Sequence, residues 1–404
     1  MRLGIDRLLT DGSLQKQLTG RRLALLAHPA SMTSSFEHSV DALMGLSALG
    51  LRSAFGPQHG LQGDKQDNMI ETEDALDPRH GIPVFSLYGQ VRRPTEAMLA
   101  TFDVLLVDLQ DVGTRIYTFL TTLLYVLEAG ARTGKSIWVL DRPNPAGRPV
   151  EGSALLPGWT SFVGAATGSP MRHGLTLGEF ALWFKRELKL DVDLKVVAME
   201  GYDPGQGPGF GWPSGERPWV NPSPNASSVS MARAFPGTVL LEGTHLSEGR
   251  GTTHPLEMCG APGLDMPLIL RTMRGLAPSW MEGCRLRPCF FQPTFQKHAG
   301  RICAGFQIHL DDASYDHDRF RPYRLMALLL KAIRTSDPDY AIWRDFPYEY
   351  ETTRLAFDLI DGGPGLREWV DDASARPADL EARLLRDEAA WVESRREFFL
   401  YPGT

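Results

Sequence analysis

Short apolar runs that alternate with helical segments are the feature that most limits how this chain can fold. The runs are rich in Val, Ile and Leu and show no polar–apolar alternation, as expected for strands buried on both faces of a parallel sheet. Because helical segments separate them, they predict a doubly wound α/β fold. The predicted strands are Leu23–Ala27, Leu51–Phe55, Asp103–Asp108, Ile137–Asp141, Leu194–Met199 and Thr238–Glu242.

Two of the intervening segments carry distinct helical signals. The segment Thr114–Ala129 has apolar residues at helical spacing and is expected to end at Gly130. Thr176 and Glu179 have the spacing of a capping box, which predicts a helix over Thr176–Leu188.

The character of the chain changes near residue 270. Two half-buried strands and two helices are predicted there, over Arg285–Phe291, Arg301–Leu310, Arg324–Ile333 and Ala378–Phe399. We therefore expect a first domain over residues 1–265, which carries most of the site loops, and a smaller C-terminal α/β domain over residues 266–404, which closes a cleft.

Charge and composition exclude several classes of function. The chain has 42 Lys and Arg against 49 Asp and Glu, a net charge of −7, and no basic block, so nucleic acid is not an expected partner. No apolar run approaches the ~18 residues that a membrane span needs. Charges at Arg2, Asp6 and Arg7 interrupt any signal-peptide core, so we expect a cytoplasmic location. The four cysteines lack zinc-site spacing and are expected to be free thiols.

Polar residues follow most of the predicted strands. In open parallel sheets, ligands bind at the carboxyl ends of the strands, so these residues predict a polar site at that rim. The segments in question are His28-Pro29, Gly56–Gly60, Asp108–Arg115, Asp141–Pro145 and Glu242–Thr253.

The residue types at this rim suit sugar chemistry. A pair of carboxylates can hydrolyse a glycosidic bond, and Glu71, Asp111, Glu242 and Glu248 are the candidates. Arginines can grip a carboxylate or phosphate with two hydrogen bonds. An acidic sugar and a sugar phosphate both fit, and the residues do not separate them. The candidate arginines are Arg115, Arg142, Arg172 and Arg250.

No cofactor or metal is expected. The sequence of residues 129–136, AGARTGKS, resembles a phosphate-binding loop, but it ends a helix and precedes a strand, whereas that motif needs the opposite order. Asp108 and Asp111 do not have metal-ligand spacing with any histidine.

Seven segments, in order along the chain, carry a family resemblance. They are GPQHGLQGD (56–64), DLQDVGTRIYTF (108–119), DRPNP (141–145), EG (151–152), MRHGLTLGE (171–179), NPSPN (221–225) and FPGTVLLEGTHLSEGRGTTHPLEMCGAP (235–262). On these motifs the chain resembles the exo-β-N-acetylmuramidases of bacterial peptidoglycan turnover, a family long catalogued as a domain of unknown function.

The resemblance implies a Rossmann-like domain, a smaller C-terminal domain and an active cleft between them. It also implies removal of N-acetylmuramic acid from the non-reducing end of glycan fragments, with a small carbohydrate or muropeptide as the substrate and no cofactor. The lactyl carboxylate of that sugar would account for the arginines.

Position 58 departs from the family pattern. The resemblance implies a catalytic Glu there, whereas this chain has Gln58, whose amide has no titrating proton and cannot act as a general acid or base. Three outcomes stay open: another carboxylate carries the acid role, the substrate is a related sugar, or the protein binds the sugar without cleaving it.

These arguments together predict a site. The expected catalytic group is Asp111, Glu248 and Glu71, together with Gln58 and His59. The residues expected to bind substrate are Arg115, Tyr117, Asp141, Arg142, Asn144, Arg172, His173, Asn225, Glu242, His245 and Arg250.

Overall fold

A seven-stranded sheet organises the N-terminal part of the molecule. The computed structural model describes residues 1–67, 69–212 and 215–402. The strand order is β3-β4-β2-β1-β5-β6-β7, and every pairing is parallel except that of β3 with β4. The predicted doubly wound α/β fold is confirmed. The strands are β1 (Arg22–Leu26), β2 (Gly50–Gly56), β3 (Ala75–Leu76), β4 (Pro83–Ser86), β5 (Val104–Val107), β6 (Ser136–Leu140) and β7 (Leu194–Val197).

Helices cover both faces of this sheet because successive side chains of each strand point to opposite sides. Leu105 and Val107 of β5 join one apolar core, whereas Val104 and Leu106 join another. The helices are α1 (Gly4–Thr10), α2 (Gly12–Leu18), α3 (Ser39–Met44), α4 (Glu96–Leu99), α5 (Phe119–Thr133), α6 (Leu177–Glu187), α7 (Val229–Thr238), α8 (Met266–Leu276), α9 (Pro322–Ser336), α10 (Ala356–Asp361), α11 (Gly365–Asp371) and α12 (Pro377–Arg395).

A second, antiparallel sheet lies in the later part of the chain. Its three strands have the order β8-β10-β9 and are β8 (Met258–Ala261), β9 (Arg285–Phe291) and β10 (Cys303–His309). Helices α7 to α11 contribute to the apolar core beside it. The predicted strands Arg285–Phe291 and Arg301–Leu310 are confirmed. The division at residue 265 stays a prediction; β8 precedes that point and pairs with β10 after it.

One predicted strand is wrong. Thr238–Glu242 is not a strand but the end of α7 followed by a 3₁₀ helix, Val239–Gly243. Ser228 starts α7 by accepting a hydrogen bond from the backbone N–H of Met231. Every residue from Met231 to Gly243 is buried, and a fully buried apolar run has no periodicity that separates strand from helix.

The bounds of one predicted helix are also wrong. Helix α5 spans Phe119–Thr133 rather than Thr114–Ala129. Gly130 lies inside it. A Cβ at this position would come within 2.9 Å of Ile137 on β6, so the glycine allows close packing of the helix on the sheet rather than ending the helix. The helix ends instead at Gly134, which has a φ of 67°.

Other helical predictions are confirmed. Thr176 caps α6, and Glu179 completes the capping box. In the predicted helix near the end of the chain, three apolar residues that recur every seven positions are buried: Leu384, Trp391 and Phe398. Within the described ranges, none of the helices combines the length and apolar character that a membrane crossing requires.

Candidate active site

A small cavity of about 50 Å³ lies where the rim of the large sheet meets the later part of the chain. The loop after β2 and the loop after β5 supply one wall, and segments 223–256 and 348–349 supply the others. The lining residues are Gln58, His59, Ile116, Tyr117, Thr118, Val163, Ser223, Asn225, Ala226, Met231, Phe235, Val239, Glu242, Arg250, Leu256, Tyr348 and Glu349.

Gln58 is held from both ends of its amide. The Thr118 hydroxyl donates to Oε1 of Gln58 over 2.7 Å. The Nε2 of Gln58 in turn donates to Oε1 of Glu349 over 2.9 Å. Because an amide has distinct donor and acceptor ends, these two bonds fix its orientation.

Glu349 is a buried carboxyl group whose pKa lies near neutrality. Only 6% of the residue is exposed, and its Oε2 accepts a hydrogen bond of 2.7 Å from the Tyr88 hydroxyl. Burial raises the pKa of Glu349 to about 7, although the hydrogen bonds from Tyr88 and Gln58 act in the opposite direction. The negative charge of Glu242 adds to the rise. Glu349 can therefore carry a proton near neutral pH, as a general acid must.

A second carboxylate, Glu242, faces the same cavity but has a cationic partner. Its Oε1 accepts from Arg250 over 2.5 Å, and its Oε2 accepts from the Tyr348 hydroxyl over 2.7 Å. Glu242 thus has a guanidinium and a hydroxyl group as donors, whereas Glu349 has an amide and a hydroxyl group. The site thus contains two carboxyl groups in contrasting surroundings, an arrangement that enzymes use to separate an acid from a base.

Glu248 stands behind this pair in an ion-pair network. Its oxygens lie 3.2 Å from Nε of Arg250 and 2.7 Å from Nζ of Lys297. Burial alone would raise the pKa of Glu248, but the charges of Lys297 and Arg250 outweigh it and hold that pKa below its usual range. Glu248 therefore stays ionised, and its contacts hold Arg250 in place.

His59 and Asn225 complete the polar wall of the cavity. The Nδ1 of His59 lies 2.8 Å from the carbonyl oxygen of Lys65, and burial lowers the pKa of His59 to about 4. The ring is therefore neutral at pH 7. Asn225 donates to the carbonyl oxygen of Gln66 over 3.0 Å.

No metal site accompanies these groups. Across residues 1–67, 69–212 and 215–402, no three His, Cys, Asp or Glu side chains are arranged to hold an ion.

Sequence comparison places the whole chain in one family. The sequence model for the N-terminal region of exo-beta-N-acetylmuramidase NamZ matches residues 23–230, and the model for its C-terminal region matches residues 233–401. The chain belongs to the exo-beta-N-acetylmuramidase NamZ family. The resemblance drawn from the sequence motifs is therefore confirmed.

Individual relatives agree with the family models. The peptidoglycan beta-N-acetylmuramidase NamZ of Bacillus subtilis (strain 168) is 37% identical over 373 residues, which make up 92% of this chain and 84% of that protein. Two crystal structures of DUF1343 family proteins from Bacteroides fragilis NCTC 9343 have the same fold. One has a TM-score of 0.84 at 27% identity and covers 99% of both chains. The other has a TM-score of 0.76 at 25% identity and covers 100% of this chain and 99% of that one.

The structure brings several of the predicted site residues of this NamZ-family chain together. Those that line the cavity are Gln58, His59, Tyr117, Asn225, Glu242 and Arg250. They come from loops that are far apart in sequence, and they meet because β2 and β5 both lie beside β1 with their carboxyl ends at one rim.

Three of the predicted acids lie away from the cavity lining: Glu248, in the ion-pair network behind it, Asp111 and Glu71. Asp111 is buried against His173, whose Nε2 is 3.5 Å from Oδ2 of Asp111. The side chain of Glu71 is 52% exposed, and its Oε1 accepts from Arg92 and from the Tyr350 hydroxyl.

Three predicted arginines are bonded within the protein framework. Arg115 donates four hydrogen bonds to the carbonyl oxygens of Ser153, Ser169, Ile360 and Asp361. Arg142 forms a two-point bond with Asp108, and Arg172 donates to the carbonyl oxygen of Ala146.

The remaining predicted binding residues also lie outside the cavity lining. Asp141 accepts from Thr176, Gly178 and Tyr401, and burial raises its pKa to about 6. Asn144 donates to the carbonyl oxygens of Gly147 and Leu175, while His245 is exposed.

Sequence reasoning missed Glu349 together with its neighbours Tyr88 and Tyr348. The only signal was a short acidic–aromatic run, Tyr348-Glu349-Tyr350-Glu351, between two predicted helices. Nothing in that run indicates burial, which is what sets the pKa of Glu349.

Proposed function

We propose that this chain is a glycoside hydrolase that releases N-acetylmuramic acid from the non-reducing end of peptidoglycan fragments. The observation that carries the proposal is the pairing, in one cavity, of Glu349, whose pKa is near 7, with Glu242, which is bonded to Arg250. Family membership supports the same reaction, since the Bacillus subtilis relative is a peptidoglycan beta-N-acetylmuramidase.

In this proposal Glu349 is the general acid. As the bond between the anomeric carbon and the glycosidic oxygen breaks, the proton of Glu349 passes to the departing oxygen, and water supplies the hydroxyl group that the anomeric carbon gains. Glu242, the carboxylate bonded to Arg250, stabilises the positive charge on the sugar ring and receives the proton of the water.

Gln58 acts as a positioning residue in the same scheme. Its amide N–H group holds Oε1 of Glu349, and Thr118 holds the amide. The residue that takes the place of the family Glu is thus in direct contact with another carboxyl group. Asp111, Glu71 and Glu248 remain alternative carriers of the acid role, but none of them lines the cavity as Glu349 does.

The cavity as it stands is too small for a sugar. Ligand pockets usually enclose about 300–1,000 Å³, against the ≈ 50 Å³ found here. Tyr350, which follows the lining residue Glu349 in the chain, packs against Arg92, whose guanidinium lies 3.3 Å from the ring centre. Substrate entry in this proposal therefore requires the segment around Tyr350 to move away from Arg92.

The test is hydrolysis of an aryl β-N-acetylmuramide, with the corresponding aryl β-N-acetylglucosaminide as the control. These substrates differ only in the lactyl group. We expect release of the phenol from the muramide and at least a tenfold lower rate from the glucosaminide. Saturable binding of the muramide without any release would instead identify a sugar-binding protein, and equal rates on both would contradict specificity for muramic acid.

A further inference from the structure

A second, larger pocket lies at the rim of the sheet beyond β6 and β7. It encloses about 720 Å³, and none of its lining residues is shared with the candidate active site. Its walls come from the chain after β6, the loop after β7, the segment before α9, and the end of α12. Arg148, Phe210, His317, Arg321 and Arg395 are the lining residues that matter for its chemistry.

The wall contains a buried arginine that forms no ion pair with a carboxylate of the described residues. Arg395 is 4% exposed and donates to the carbonyl oxygen of His173 over 3.0 Å. Its Nε has no hydrogen-bond partner in the described part of the chain. Burial and the positive charge of Arg148 together lower the pKa of Arg395 to about 9, although the charge of Glu179 acts in the opposite direction. Arg148 itself is matched, since it forms two hydrogen bonds with Glu179.

More positive charge lies behind this wall. Arg172 is fully buried, donates only to the carbonyl oxygen of Ala146, and has an NH1 group without a partner among the described residues. Arg233, 6% exposed, likewise bonds to the carbonyl oxygens of Pro145 and Gly209 rather than to a carboxylate. A buried charge without an ion-pair partner is strongly unfavourable, so a bound anion would stabilise this group of cations.

His317 adds a neutral donor to the pocket. Its Nδ1 lies 2.6 Å from the Tyr315 hydroxyl, and its Nε2 has no partner within the described ranges. Burial and the charges of Arg172, Arg233 and Arg321 lower the pKa of His317 to about 2, so the ring is uncharged at neutral pH. When the Tyr315 hydroxyl donates to Nδ1, Nε2 carries the proton and can donate it to an anion.

The negative charges of the pocket are at its mouth. Asp203 and Asp318 line it but are exposed, and Asp203 Oδ1 accepts from the backbone N–H of Gly205. Phe210 stacks on His317 with ring centres 4.4 Å apart and planes 7° from parallel, which gives the pocket a flat aromatic wall. The buried part of the pocket therefore carries positive charge, whereas its opening carries both positive and negative charges.

We propose that this pocket binds a doubly charged oxyanion of the phosphate class, as inorganic phosphate or as the phosphoryl group of a small sugar phosphate. Arg395 in the wall and Arg172 behind it form no ion pair with a carboxylate among the described residues, and two such guanidinium groups match two negative charges better than the single charge of a carboxylate. The volume leaves room for a sugar beside the phosphoryl group, and the Phe210–His317 wall offers a face for it.

Isothermal titration calorimetry with three probes tests this inference: inorganic phosphate, glucose 6-phosphate and acetate. We expect saturable binding of phosphate and at least tenfold weaker binding of acetate. Tighter binding of glucose 6-phosphate than of phosphate would identify a sugar phosphate as the ligand, and equal binding would identify phosphate itself; both support the site. Absence of saturable binding of both phosphate probes would overturn it.

Single substitutions test whether phosphate binds in this pocket. Arg321→Gln changes a half-buried residue of the wall whose side chain, among the described residues, makes a single hydrogen bond, a 3.5 Å contact with the Phe320 carbonyl. The variant should therefore fold normally and bind phosphate at least tenfold more weakly. Arg395→Gln should abolish binding if it folds. The control Arg319→Gln, on the same segment but exposed and outside the lining, should bind as the wild type does. Equal affinity in Arg321→Gln and Arg319→Gln would overturn the inference.

A separate control distinguishes this pocket from the active site. Glu349→Gln should leave phosphate affinity unchanged, because Glu349 lines only the first cavity. Loss of phosphate binding in that variant would place the anion in the active site and overturn the inference without affecting the proposed hydrolase function.

Discussion

Gln58 donates a hydrogen bond of 2.9 Å to Glu349, a residue 291 positions further along the chain. A glutamate at position 58, as the family pattern implies, would put two carboxyl groups in contact at this point. In this chain one of them is an amide, which supplies a fixed donor to the other. The departure at position 58 therefore leaves one titrating group in the contact, and that group is Glu349.

Gln58→Glu should change the pH dependence of hydrolysis, which the wild type already performs. A general acid must be protonated, so the wild-type rate should fall as the pH rises through the pKa of Glu349, which is about 7. A second carboxyl group in contact raises the higher of the two pKa values of the pair. The falling limb of kcat against pH should therefore move up by about one pH unit or more. An unchanged limb would show that Glu349 does not set it.

The buried carboxyl of Glu349 should also make stability depend on pH. Its pKa is about 7 in the folded chain against 4.5 as the ordinary value, so the native state binds more protons between these two pH values. The stabilising contribution of the protonated group is complete below pH 4.5 and is lost as the pH rises through about 7, by an amount on the order of 3 kcal/mol.

Glu349→Gln removes that titration. The melting temperature of the variant relative to the wild type should therefore increase between pH 4.5 and 8. Glu73→Gln, an exposed carboxylate near the same rim, is the matched control and should show no such trend. A constant difference in melting temperature across this range would contradict the raised pKa.

Arg250 should contribute more to stability than a surface arginine does. It lies within 2.5 Å of Glu242 and 3.2 Å of Glu248, all three residues being buried. Arg250→Gln leaves two buried carboxylates short of a cation, which should lower the free energy of unfolding by about 3–5 kcal/mol. Arg354→Gln, which breaks a pair with Glu351 near the surface, should cost at most about 1 kcal/mol. Equal losses in chemical denaturation would contradict this network.

Much of the fold could be predicted because its signals are local. The strands of the large sheet are short Val- and Leu-rich runs, and the capping box of Thr176 and Glu179 marks the start of α6. A parallel sheet places the loops after β2 and β5 at the same edge, and because both strands flank β1, these loops bring His59 and Tyr117 together. The prediction failed at Thr238–Glu242, where complete burial leaves no periodicity to read.

Glu349 could not be found in this way. It lies in an irregular segment between α9 and α10, with a φ of 48°, and no pattern of residues around it marks a strand end or a helix cap. Its chemistry depends on burial against Tyr88 and Gln58, and both contacts join parts of the chain that are distant in sequence. Conversely, Arg115 has the residue type of a substrate ligand, but its donors are used by four backbone carbonyl groups.

The most direct measurement compares the wild type with Glu349→Gln on two aryl β-N-acetylmuramides. One carries phenol, which needs a proton to leave, and the other carries dinitrophenol, which leaves as a stable anion. If Glu349 is the general acid, the variant should lose about 10²- to 10⁴-fold in kcat/KM on the phenyl substrate and keep most of its activity on the dinitrophenyl substrate. Equal losses on both substrates, or no loss on either, would contradict the assignment of the acid role to Glu349.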